Sequence, residues 1–157
     1  MKNDKIQKQI SDLLEKSGFA AGEVTITHDE KSNTLWFAIE SPNARFLLAR
    51  EAEALKALNH LASKIVEKMF EKDETRPRVI LDANGFERKK IDNLKTVAHM
   101  MAERARYFKS SIDVDAMPPH ERRIIHEFLS EMPDIKTESV GEGMKRHIVI
   151  RYVDSKI

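Results

Sequence analysis

The stretch "PPHERRIIHEFL", residues 118–129, decides how the second half of this chain folds. Pro118 and Pro119 suit a helix start, because a proline in the first turn gives up no intrahelical hydrogen bond. The apolar spacing that follows predicts a helix running to about Leu129 and stopped near Pro133. Upstream, Ile112, Val114 and Ala116 alternate with Asp113, Asp115 and Met117, which predicts a strand. Downstream, two more strands are expected around residues 135–140 and 147–153, joined by the loop Gly141-Glu142-Gly143. The order is β-α-β-β. Four such elements need the long helix before them to complete a core.

Moving outward, Ile6, Ile10, Leu13 and Leu14 recur at helical spacing, and Ser17-Gly18 ends that helix. Val24–Thr27 reads as a short strand, with residues 35–39 as its hairpin partner across Lys31-Ser32-Asn33. Ser41-Pro42 opens a short helix through Leu47-Leu48. A longer helix follows, striped by Ala54, Leu55, Leu58, Leu61, Ile65 and Met69. Arg76-Pro77 breaks the chain before a strand at Val79-Ile80-Leu81. Asn84-Gly85 then turns into a long helix carrying Ile91, Leu94, Ala98, Met101, Ala105 and Phe108 on one face. The first part therefore reads α-β-β-α-α-β-α, and the fold class is α+β. No internal repeat or low-complexity tract interrupts it.

The composition narrows the function classes. At 157 residues, with 41% apolar and 34% charged side chains, the chain suits a globular protein of one domain or two small ones. It has no cysteine, which removes disulfides, thiolate metal sites and a cysteine nucleophile. No apolar run reaches the roughly 20 residues of a membrane span, and the polar start leads into no signal-type segment. Membrane insertion is not expected, and the cytoplasm is the expected compartment. The net charge of +1 is uninformative, but its distribution is not: residues 76–109 carry 9 Lys+Arg against 4 Asp+Glu, while the flanking segments are both slightly acidic. Such a basic island is either an electrostatic footprint for nucleic acid or a solvated helix face.

Arg122 and His126 are four residues apart, so a helix puts them on one face. Arginine offers a forked donor to phosphate, and histidine adds a donor that becomes a second charge when protonated. The positive end of the helix dipole lies just upstream. A zinc helix is a poorer fit, since it needs His-Glu-x-x-His. Here His120-Glu121 is followed by histidine only at 126, six residues after His120, which leaves the two rings about 120° apart around the helix. No acidic dyad, phosphate-binding glycine loop or Ser-His-Asp arrangement stands out, so no enzyme activity, cofactor or metal is expected. An Arg/His pair can also be a solvated face, with Glu127 and Asp115 as local partners. Lys145 and Arg146 are either further phosphate contacts or charges that guard an edge strand. Trp36 and Phe37 can stack on bases, but alternation in a strand places one or both in the core. His28, His60, His99 and His147 have no metal-like spacing.

These motifs resemble the Jag (SpoIIIJ-associated) family of bacterial proteins. The likeness rests on Arg122-Arg123-Ile124-Ile125-His126, on Thr137-Glu138-Ser139 followed by Gly141-Glu142-Gly143, and on the basic pair Lys145-Arg146 before the last strand. The segment Leu81-Asp82-x-x-Gly85-Phe86-x-Arg88 also looks like the end of that family's KH domain. The resemblance implies an N-terminal helix at 1–19, a type II KH-like domain at 20–109, and a small domain named for its Arg-x-x-x-His motif at 110–157. It implies single-stranded nucleic-acid binding, RNA in the first instance, through Arg122, His126, Arg123, Lys145 and Arg146. The family's KH loop is Gly-x-x-Gly, and here it is Ala49-Arg50-Glu51-Ala52. By propensity that stretch favours continuous helix, and its loss of glycine denies phosphate a close approach. The competing reading is a protein-interaction scaffold whose KH-like part has lost RNA, with a KH-only protein or a second copy as partner. Base preference, RNA versus DNA, stoichiometry and pathway are not legible.

Overall fold

The structure is a computed structural model that describes residues 2–19, 22–71 and 75–154. It divides into two compact units, Met1–Arg88 and Lys89–Ile157. The division differs from the segments expected from the sequence. The expected boundary at 19/20 falls against residues 20 and 21, which lie outside the described residues. The expected boundary at 109/110 would cut off the long helix, yet its Ala98, Ala102 and Ala105 are buried together with residues of the C-terminal unit.

In the first unit, helix α1 (Lys2–Lys16) leads to strands β1 (Glu23–Asp29) and β2 (Thr34–Glu40), then to α2 (Ala44–Phe70) and β3 (Arg78–Ala83). The sheet order is β1-β2-β3, with an antiparallel β1-β2 hairpin and β3 parallel to β2. Ile6, Ile10 and Leu14 of α1 pack with Leu35, Phe37 and Ile39 of β2 and with Leu55 and Leu58 of α2 in one core. Strand alternation thus buries Phe37 completely, while Trp36 lies on the opposite face, half-buried under the Arg88 guanidinium at 5.1 Å. Gly22 is required where it stands, because a Cβ there would lie 1.9 Å from the Glu40 carbonyl oxygen. The free edge of β3 is sealed by a side chain. The Asn59 amide donates to the Leu81 carbonyl at 3.0 Å and accepts from the Leu81 N–H at 2.8 Å, as a neighbouring strand would.

Helix α2 is two helices joined across a break after Leu48, where the sequence reading separates them, and the break departs only from the local helix propensity. The stretch Ala49-Arg50-Glu51-Ala52 does not continue the helix. Ala49 is extended at φ −61° and ψ 154°, and Arg50, Glu51 and Ala52 turn left-handed at φ 50°, 57° and 60°. Tertiary packing overrides propensity here: Leu47 before the break, Ala52 within it and Leu55 after it are all fully buried. The chain leaves the right-handed path so that both halves reach the core.

The second unit contains most of α3 (Phe86–Phe108), then β4 (Ser111–Asp113), α4 (Pro119–Leu129), β5 (Ile135–Val140), a 3-10 turn at Gly143–Lys145 and β6 (His147–Tyr152). The sheet order is β4-β6-β5, antiparallel throughout. Strand β4 is shorter than the alternation predicted, although Val114 N–H still bonds to the Ile148 carbonyl at 2.9 Å. The face carrying Ile112, Val114, Ile135, Ile148 and Ile150 packs on Ala98, Ala102 and Ala105 of α3 and on Ile125 and Leu129 of α4. Arg106 pins the last turn of α3 to the entrance of β5 with a two-pronged bond to Asp134, at 2.6 and 2.7 Å. That pair holds the Asp134 carboxyl below the usual carboxylate range.

Candidate nucleic-acid interface

The site is built on α4, the inner face of the edge strand β5, and the turn before β6. Arg122 is half-buried, and its Nη1 donates to the Met117 carbonyl at 2.7 Å. The backbone N–H of Met117 in turn bonds to the Arg146 carbonyl at 3.3 Å. One turn along α4, the Nδ1 of His126 is hydrogen-bonded to the Thr137 hydroxyl. Arg146 Nε donates to the Ser139 hydroxyl at 2.9 Å. Thr137 and Ser139 are two residues apart on β5, so they share a face, with anchor points roughly 7 Å apart along the strand.

Each of the three side chains, two guanidiniums and an imidazole, is therefore oriented by a neutral oxygen. Among the described residues, no carboxylate pairs with Arg122, His126 or Arg146. The surrounding cations behave differently. Arg123 Nε is tied to Glu127 at 2.8 Å, and Lys90 to Glu121 at 2.7 Å. Arg151 pairs with Glu138 at 3.0 Å, and His147 with Asp113 at 3.2 Å. A cation fixed by a carbonyl or hydroxyl keeps its charge and its remaining donors for a ligand, whereas one fixed by a carboxylate has its charge offset. The guanidiniums of Arg122 and Arg146 each use one N–H within the protein, and the His126 Nε2 is left for an outside partner.

Of the five cations singled out in the sequence, the structure gathers Arg122, His126 and Arg146. Lys145 lies exposed in the same turn as Arg146. Arg123 is rotated about 100° around α4 from Arg122 and bound to its own helix, so it is not part of the cluster. Glu127 was expected as a local partner of the Arg/His pair, and it serves Arg123 instead. Sequence reasoning overlooked Thr137 and Ser139 as the side chains that set the cluster. Their signal was present: two hydroxyls at strand spacing, inside a motif already noted. Among the described residues, no group of three or more His, Cys, Asp or Glu side chains is placed to hold a metal, and no helix is long and apolar enough to cross a membrane.

A helix that carries Arg-x-x-x-His beside an edge strand marks the domain class named R-3-H after that motif, and residues 92–152 match the family of that domain. The chain is similar to proteins named KhpB, in keeping with the motifs read from its sequence. It is 31% identical over 134 residues to the RNA-binding protein KhpB of Bacillus subtilis (strain 168), a span of 84% of this chain and 63% of that relative. It is 27% identical over 130 residues to the RNA-binding protein KhpB of Clostridium symbiosum, covering 83% of this chain and 57% of the relative. With the Streptococcus pneumoniae (serotype 2, strain D39) protein of the same name, identity is 24% over 128 residues, covering 82% of this chain and 38% of the relative. The chain thus spans about three fifths of the length of the first two relatives.

Proposed function

We propose that this chain binds single-stranded nucleic acid, RNA in the first instance, and that Arg122, His126 and Arg146 are its principal phosphate contacts, with Lys145 beside them. The observation that carries the reading is the set of two guanidiniums and one imidazole, each aimed by a neutral oxygen and opposed by no carboxylate among the described residues. Such a set is preorganised for an anion and adds no reorganisation cost when one arrives. The relatives named as RNA-binding proteins support RNA over DNA. The role we read is that of a binding module, in keeping with the relatives named as RNA-binding proteins. These features favour nucleic-acid binding over a scaffold role.

The test is fluorescence anisotropy with labelled single-stranded RNA and DNA across a salt series. Arg122→Ala, His126→Ala and Arg146→Ala are each expected to weaken binding while far-UV circular dichroism stays unchanged. Each lost phosphate contact flattens the log–log salt slope by roughly 0.7. Arg123→Ala, already committed to Glu127, leaves affinity within about two-fold. Wild-type affinity in the folded Arg122→Ala and Arg146→Ala variants would refute the assignment.

A further inference from the structure

The large apolar side chains left exposed on α3 are Val97, Met100, Tyr107 and Phe108. With Arg104 they recur at spacings of three and four, so they form one stripe along the helix. This is not the face that packs on the C-terminal sheet, where Ala98, Ala102 and Ala105 are buried. The stripe ends in two rings. Tyr107 is 83% and Phe108 61% exposed, and they meet edge to face with centroids 5.0 Å apart. Single apolar side chains are common on a surface, but two adjoining rings in water are an uncovered contact site.

The backbone under the rings is fixed without a ligand. The Lys109 N–H bonds to the Arg106 carbonyl at 3.3 Å and the Ser110 N–H to the Ala105 carbonyl at 3.1 Å, which closes the last turn of α3. Arg106 ties the same turn to Asp134. Charge then says which partner fits. Arg104 and Lys109 flank the rings, and neither is paired with a carboxylate among the described residues. The Nη1 of Arg104 rests instead on the Met101 sulfur at 3.9 Å. Glu103, the acid beside them in sequence, is bonded to Arg106. The rings also close the basic island of residues 76–109, with its 9 Lys+Arg against 4 Asp+Glu. A second copy of this face would set these cations against themselves. A nucleic acid brings the opposite charge together with flat bases.

We propose that Tyr107 and Phe108 form a second contact for single-stranded nucleic acid, a platform on which a base stacks while Arg104 and Lys109 hold the flanking phosphates. The platform is separate from the cluster on α4 and β5, and it rests on the reading above only for the class of ligand. Asp134, pinned to the turn that carries the rings, leads into β5. Thr137 and Ser139, the anchors of the cluster, follow three and five residues on, roughly 10 and 17 Å along the strand. One strand of a few nucleotides therefore reaches from the rings to the cluster. Every base has a face to stack, so the platform adds affinity with little sequence preference.

The experiment titrates the full chain with labelled single-stranded RNA of about 12 nucleotides, and with an abasic strand of the same length, by fluorescence anisotropy across a salt series. Tyr107→Ala, at a site too exposed to disturb folding, is expected to weaken RNA binding roughly five-fold or more, the loss of one stacked base. The salt slope stays as in the wild type, because no phosphate contact is removed. Binding of the abasic strand is expected to be unchanged, and Tyr107→Phe, which keeps the ring, to bind RNA as the wild type does. Wild-type RNA affinity in Tyr107→Ala, or an equal loss on the abasic strand, would overturn the platform. Sedimentation equilibrium tests the other occupant: a dimer that Tyr107→Ala dissociates would make this face a contact between copies and overturn it too. Arg122→Ala separates the two sites. If it binds as the wild type while the ring effect persists, the cluster reading fails and the platform stands; if only the ring effect is missing, the platform fails and the cluster stands.

Discussion

Replacing Glu51 by glycine should stabilise the N-terminal unit, although the residue lies inside a segment whose sequence reads as helix. Glu51 has φ 57° and ψ 36°, between Arg50 and Ala52, which are also left-handed. A non-glycine residue there costs roughly 1–2 kcal/mol through the clash of its Cβ with the following carbonyl. Glycine removes that clash but brings back about 0.5–1 kcal/mol of unfolded-state entropy. The side chain of Glu51 is exposed, so little packing is lost. The net expectation is a gain of about 0.5–1 kcal/mol. Were the segment an ordinary helix, the same change would cost about 1 kcal/mol. The two structures differ in sign, which is what makes the measurement decisive.

The chain supplies its own probe. Trp36 is its only tryptophan and lies in β2, so its fluorescence reports the N-terminal unit. With a urea m-value of about 1 kcal/mol/M, the midpoint should rise by roughly 0.5–1 M. A lower midpoint would mean that the left-handed turn is not the native conformation. Ala52→Gly is the internal control. It relieves the same strain at φ 60° but removes a fully buried methyl, worth about 0.8 kcal/mol, so it should be close to neutral.

Three further outcomes follow from other residues. Asn59→Ala leaves the Leu81 N–H and carbonyl without their partner and should lower the stability of the N-terminal unit by about 2 kcal/mol, seen as a lower midpoint by Trp36 fluorescence. His147 bonds the Lys145 carbonyl with one ring nitrogen and the Asp113 carboxylate with the other, a pair of acceptors that only the imidazolium satisfies fully, and both raise its pKa. A raised folded-state value means the stabilisation is complete below the ordinary histidine range and is lost as pH rises through the folded value. NMR titration of the His147 ring should place its midpoint above that range, and Asp113→Asn should lower it. Thr137→Val and Ser139→Ala should each reduce RNA affinity several-fold without changing the fold, because they release His126 and Arg146 from their anchors. Unchanged affinity in both would mean the hydroxyls do not position the cations.

Most elements were legible because periodicity reports burial. The stripe Ile6, Ile10, Leu14 and the alternation at Leu35, Phe37 and Ile39 are core residues, read correctly from spacing alone. Arg122 and His126 were legible for the same reason, since helical spacing fixes a shared face. What escaped depended on contacts between segments distant in sequence. Asn59 and Leu81 are 22 residues apart, and Arg106 and Asp134 are 28 apart, and nothing local marks either pair. Ser139 and Thr137 read as ordinary edge-strand polar residues until α4 and the turn after Gly143 are laid beside them. The length of β4 was overestimated because Ala116 continues the alternation in sequence, while the ladder itself ends at Asp113 and only the Val114 and Met117 N–H groups bond across beyond it.

The left-handed turn changes what the missing glycines mean. From sequence, Ala49-Arg50-Glu51-Ala52 favoured helix by propensity, and the absence of Gly-x-x-Gly denied phosphate a close approach. The backbone keeps a sharp non-helical path there without glycine, held by the buried Leu47 and Leu55 on either side. What remains between a phosphate and that backbone is the set of Cβ atoms and the Glu51 carboxylate, both side-chain matters. The obstacle at this loop is therefore steric and electrostatic rather than topological. Glu51→Gly removes its charge and one of its Cβ atoms in a single step, and the same substitution relaxes the turn instead of breaking it. Strain and access are coupled here with the same sign, so the variant that is more stable is also the one whose turn presents a more open backbone.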